Sequence, residues 1–186
     1  MNKNPFSISP YTRRISQLST DQLSAIDQYL QILLEQDSPH LKHSHYFHGR
    51  HENIYLQQHD QSDLNALLDE SLAYGAEILQ VPTKELGIGF WFNLMLPGHV
   101  TTLHRHDDFD ELISGVVYLK VPENSGNLIL QPKGEDEIIL SPIAGNTIYF
   151  DPTTPHAVTQ NKSDQHRLSI GMNIGLKANK FDHPEK

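Results

Sequence analysis

The 186-residue chain contains no cysteine. That absence excludes a disulfide framework and any thiolate metal site, so a bound metal must be held by nitrogen and oxygen ligands, and it fits a reducing cytoplasm. No stretch approaches the roughly 20 consecutive apolar residues of a membrane span. The start, Met1-Asn2-Lys3-Asn4-Pro5-Phe6, has no apolar core of an export signal. The expectation is a soluble cytoplasmic protein without a membrane partner. Positive charge is scarce as well: 14 Lys and Arg stand against 23 Asp and Glu, for a net charge of -9. Because the basic residues are also scattered, the surface is unsuited to capturing a nucleic-acid duplex. A small-molecule or peptide substrate is compatible with it.

Internal repeats, low-complexity tracts and linkers are missing too, so a single domain is expected. Within it, residues 1–86 read as a helical N-terminal extension, 87–176 as a β-barrel core and 177–186 as a tail. Ser19-Thr20-Asp21 forms an N-cap cluster ahead of Leu23, Ile26, Leu30, Leu33 and Leu34 at helical spacing. A second helix starts near Ser62-Asp63, buries Leu64, Leu67, Leu68 and Leu72, and ends before Pro82, since proline disfavours helix in the residue before it. From Gly87 the pattern changes to eight short apolar or alternating runs, 88–96, 99–105, 112–121, 127–132, 136–141, 146–151, 155–161 and 167–175, separated by Pro, Gly, Asn and Asp. Such a series suits a jelly roll. The fold class is therefore mainly β, a double-stranded β-helix of cupin-like type buttressed by two or more α-helices.

The chemistry is concentrated in the second half. Alternate residues of a strand share a face, so His104 and His106 can reach one ion from adjacent pleats. His156, at the mouth of a strand following Gly145–Pro152, is the best candidate for a third ligand, and three ligands would leave coordination positions open. In Arg167–Ile174, Arg167, Ser169, Gly171 and Asn173 lie on one face and Leu168, Ile170 and Met172 on the other. A buried arginine demands an anion, and its planar fork matches a carboxylate. Ser169 would add a hydroxyl donor to the same group. This pairing points to a dicarboxylate such as 2-oxoglutarate.

At these residues the chain resembles the 2-oxoglutarate and iron(II)-dependent oxygenases, notably a short group with a histidine-x-histidine first motif. The resemblance runs over residues 88 to 175 through Trp91-Phe92-Asn93, Gly98, His104-x-His106, Ser114-Gly115-Val116-Val117-Tyr118, Asn124-Ser125-Gly126, Pro142-Ile143-Ala144-Gly145, His156 and Arg167-Leu168-Ser169. It implies that His104, His106 and His156 are catalytic iron(II) ligands. It also implies that Arg167 and Ser169, with Tyr118, bind 2-oxoglutarate, and that oxidative decarboxylation to succinate and carbon dioxide drives hydroxylation of a C–H bond.

Two alternatives stay open at this stage. The more widespread histidine-x-aspartate motif is met one step later, as His106-Asp107-Asp108, which would make Asp108 the carboxylate ligand. A cupin pattern is met as well, with Glu111 as a fourth ligand, giving a metal enzyme or binding module that does not use 2-oxoglutarate. The histidines between His40 and His51 read as a solvated inter-helix loop or part of a substrate lid. Tyr118 and Tyr149 both stand on strand runs, where either ordinary packing with a satisfied hydroxyl or contact with 2-oxoglutarate is open, Tyr118 being the better candidate by its position in the family, and Trp91 and Asn93 carry no assignment. The helices and Phe90-Trp91-Phe92 suit either a homodimer interface or internal core.

Overall fold

In the computed structural model, residues 10–47, 50–57, 59–105 and 110–177 are described. The elements in chain order are β1 (Tyr11–Arg14), α1 (Thr20–Glu35), β2 (Leu41–Phe47), β3 (Arg50–Leu56), α2 (Ser62–Leu79), a 3-10 turn (Thr83–Glu85), β4 (Leu86–Met95), β5 (Thr101–His104), β6 (Glu111–Lys120), β7 (Leu128–Leu130), β8 (Ile138–Leu140), β9 (Asn146–Phe150), β10 (His156–Val158) and β11 (Arg167–Leu176). All eight runs expected from Gly87 onward are strands. Together with three N-terminal strands they form, among the described residues, two facing antiparallel sheets, a seven-stranded one ordered β1-β9-β6-β11-β4-β3-β2 and a four-stranded one ordered β5-β10-β7-β8. This is the double-stranded β-helix that the eight runs predict.

Both helices form where the sequence places them. Ser19 caps α1 in a reciprocal box with Gln22, and Gln61 caps α2 through the Leu64 amide. α1 buries Leu23, Ile26 and Leu30, and α2 buries Leu64, Leu67, Leu68 and Leu79. These side chains share one core with Phe92, Ile113, Val117, Leu168, Ile170, Met172 and Ile174 of the large sheet. A smaller cluster of Tyr118, Leu128, Leu130, Ile148 and Phe150 lies among the strands of the two sheets.

The N-terminal part differs from the expected helical extension. It contributes three strands, β1, β2 and β3, which occupy the two edges of the large sheet. The segment expected to be a solvated inter-helix loop is the β2–β3 hairpin, paired from Leu41↔Leu56 to Phe47↔Arg50. The pattern hid it because β2 is an edge strand with little of it buried, so no hydrophobic alternation marks it.

Candidate active site

β11 sits at the centre of the large sheet, paired along its whole length with β4 and over most of it with β6. Directly opposed residues in antiparallel strands share a face, so the register builds rows of side chains. One row is Asn93–Ser169–Tyr118 and the next is Trp91–Gly171–Val116. On the facing sheet the corresponding pair is His104↔His156. These residues, with Thr101, Ser114, Leu128, Phe150, Val158 and Arg167, line a cavity between the two sheets that is open at its mouth. Gly171 is required there: a Cβ at that position would come within 2.5 Å of the Trp91 indole.

The two histidines are held for ligation. Their ring centroids are 4.2 Å apart. His104 Nδ1 lies 2.8 Å from the Thr102 carbonyl and His156 Nδ1 lies 3.0 Å from the Thr154 carbonyl. A carbonyl only accepts, so each Nδ1 carries a proton, which leaves Nε2 as the nitrogen of each ring that can ligate. Burial, reinforced by the charge of His104, pushes the His156 pKa down to about 3 and keeps that ring in the neutral, ligand form. His106, together with Asp107 and Asp108, lies outside the described residues. Among the described residues no third His, Asp or Glu converges on this pair. Glu111, the fourth ligand in the cupin pattern, accepts a hydrogen bond from Asn173 Nδ2 at 3.2 Å.

Arg167 is the most deeply buried charged residue among the described residues, 1% exposed. Its Nη1 donates to the carbonyls of Gly126 (2.9 Å) and Ser125 (3.3 Å), and its guanidinium carbon lies 5.2 Å from the centre of the Tyr118 ring. The positive φ of Gly126, 96°, lets this turn pack against Thr159, where a Cβ would collide. Among the described residues Arg167 has no carboxylate partner, and Arg167 Nε, the Tyr118 hydroxyl and the Asn93 side-chain oxygen are buried without a hydrogen bond. Burial pushes the Tyr118 pKa up to about 12, against the pull of the neighbouring Arg167, so the phenol stays protonated and able to donate. Ser169 is buried on the same wall.

This donor set fits the groups the sequence implies. Two imidazoles suit a divalent iron, and a buried guanidinium that has no carboxylate partner among the described residues, beside a protonated phenol, suits a carboxylate. Tyr149, by contrast, donates to the Ser71 carbonyl at 2.8 Å and is a packing residue. Trp91 and Asn93, left unassigned by the sequence, are cavity walls. The alternation that puts Arg167 and Ser169 on one face does the same for Trp91 and Asn93, so the signal was present in β4.

No protein-family model and no curated protein sequence matches the chain. Solved structures do. A prolyl-4-hydroxylase from Pseudomonas putida is 18% identical, with a TM-score of 0.66 over 88% of this chain and 91% of its own. The chain has the fold of a 2-oxoglutarate oxygenase. The non-heme alpha-ketoglutarate-dependent epimerase SnoN from nogalamycin biosynthesis is 16% identical, with a TM-score of 0.68 over 89% of this chain and 76% of its own; it has also been solved with Fe3+, alpha-ketoglutarate and a nogalamycin ligand. A prolyl hydroxylase from Trichoplax adhaerens, solved with a peptide fragment of the hypoxia inducible factor oxygen degradation domain, is 13% identical, with a TM-score of 0.65 over 95% of this chain and 87% of its own.

Proposed function

We propose that the protein is a non-haem iron(II)- and 2-oxoglutarate-dependent dioxygenase that hydroxylates a small-molecule or peptide substrate. The observation that carries this reading is the buried Arg167 guanidinium, facing a cavity whose other wall presents His104 and His156, with no carboxylate partner among the described residues. An uncompensated cation at such depth is costly, and a dicarboxylate that enters the cavity would supply the missing charge.

In this reading His104 and His156 would hold the iron, with His106 as the remaining ligand; the alternative set is His106 and Asp108 with His156. Bound iron with 2-oxoglutarate supplies the activation of dioxygen. The protein's own residues bind, orient and exclude water. Arg167 takes the far carboxylate of 2-oxoglutarate in its fork, and Ser169 and the protonated Tyr118 hydroxyl donate to the same group. The carbonyls of Ser125 and Gly126 hold the guanidinium in place. Trp91, Val116, Leu128 and Phe150 provide an apolar lining that keeps water from the reacting carbon. Substrate enters from the mouth. A cupin-type enzyme without 2-oxoglutarate leaves the arginine unexplained.

Anaerobic titration of the iron(II)-loaded protein with 2-oxoglutarate tests the proposal. A weak visible charge-transfer band should grow with 2-oxoglutarate and be lost in Arg167→Ala. Metal binding without any such band would sink the 2-oxoglutarate reading, and failure to bind iron(II) would sink the oxygenase reading as a whole.

A further inference from the structure

The β2–β3 hairpin is tied to the strand that carries His104 by two buried charges. Arg50, at the start of β3, donates through Nη2 to the Val100 carbonyl at 2.6 Å and through Nη1 to the Leu94 carbonyl at 3.5 Å. It pairs with Glu52 at 3.7 Å. Glu52 is 3% exposed. Its Oε1 accepts from the Thr102 amide at 3.3 Å and its Oε2 from the Thr102 hydroxyl at 3.5 Å. The Thr102 carbonyl in turn takes the Nδ1 proton of His104 at 2.8 Å.

The topology makes this grip consequential. Among the described residues β5 is an edge strand of the small sheet, four residues long, and pairs with β10 alone, in an irregular register fixed at His156↔His104 and Val158↔Thr101. Thr102 lies between those two pairs, where the ladder does not hold it. The Glu52 carboxylate takes the place of a strand neighbour and sets the direction of the carbonyl that orients the imidazole. Groups behind a metal-ligating histidine fix its tautomer and ring orientation.

We propose that Glu52 is a positioning residue of the metal centre, holding Thr102 so that His104 presents Nε2 to the ion. This rests on the reading of His104 as a metal ligand. A merely structural role, balancing the buried charge of Arg50, requires the negative charge of Glu52. Positioning requires only its hydrogen-bonding shape, which glutamine reproduces: an oxygen for the Thr102 amide and an N–H toward the Thr102 hydroxyl.

The experiment is a titration of the full-length protein with cobalt(II), read by the visible ligand-field bands, with circular dichroism of each metal-free variant as the control for folding. Glu52→Ala should weaken cobalt binding about 10- to 100-fold, the usual effect of removing such a support, and should change the band shape. Glu52→Gln should return affinity to within about threefold of wild type, the scale of one weak hydrogen bond. A folded Glu52→Ala protein with wild-type affinity and spectrum overturns the proposal, as does a Glu52→Gln protein as impaired as Glu52→Ala. Should Glu52→Ala fail to fold, Thr102→Val, which removes only the hydroxyl given to Glu52, decides: about threefold weaker binding supports the proposal, and unchanged binding overturns it. If the wild-type protein takes up no cobalt, the metal-site reading fails and the positioning role falls with it, an outcome distinct from the others.

Discussion

The two faces of the large sheet are built from the same strands and are both buried, yet their chemistry is opposite. The outer face, against α1 and α2, is packed with Phe92, Ile113, Val117, Leu168, Ile170 and Ile174. The inner face, turned to the small sheet, carries Arg167, Ser169, Tyr118, Asn93 and Trp91 around a cavity. Apolar burial stabilises the fold through the outer face. The inner face holds a buried cation and unpaired polar atoms, which oppose folding and favour a ligand. The difference teaches that in this fold stability and binding are carried on opposite sides of a strand one residue apart.

Breaking the outer face should have the largest effect. Phe92, fully buried among the helices' side chains, should cost about 3–5 kcal/mol of stability on truncation to alanine, measured by urea unfolding; a loss below about 1 kcal/mol would mean that the helices do not seal this core. Arg167→Met sharpens the contrast from the other side. It should leave unfolding stability unchanged or raise it, because a buried charge is replaced by an apolar chain of similar length. Its 2-oxoglutarate affinity by calorimetry should fall at least about 30-fold. Substantial destabilisation by Arg167→Met would show that the arginine is a structural element and would collapse the comparison.

Gly171→Ala should come next, at about 1–3 kcal/mol, because the new methyl group must displace the Trp91 indole that walls the cavity; indole fluorescence should shift along with the melting temperature. The smallest effect is on the outer side and depends on pH. Burial works against ionisation of Glu70, but hydrogen bonds from Ser16, Gln17 and Tyr74 outweigh it and hold the carboxyl below its ordinary value. Its contribution is therefore complete above the unfolded value of about 4.3 and is lost as pH falls through the lower folded value. Glu70→Gln should reduce the acid slope of thermal stability below about pH 4.3, and an unchanged slope would remove Glu70 from the account.

Legibility followed the periodic patterns. The eight strands from β4 to β11 alternate, or run apolar between turn residues, so both sheets and the face bearing Arg167 and Ser169 could be read in advance. The helices announced themselves by caps and 3.6-residue spacing. β1 and β2 were illegible because edge strands with little buried surface obey no hydrophobic period; β3 was illegible because its buried run, Glu52-Asn53-Ile54, is mostly polar; and Glu52 was illegible because its partner Thr102 lies fifty positions away.

The sequence by itself determined the layering of this protein, since which residues must leave water is a local property of the chain. It also marked His104, His156, Arg167 and Ser169, whose chemistry is too costly or too specific to be filler. Only the tertiary structure decided that His104 and His156 pair across two strands, that Arg167 reaches Ser125 and Gly126 yet finds no carboxylate among the described residues, and that the N-terminal hairpin grips the strand of His104. Those are non-local facts, set by sheet register and closure, in which side chains remote along the chain meet because the whole core has folded.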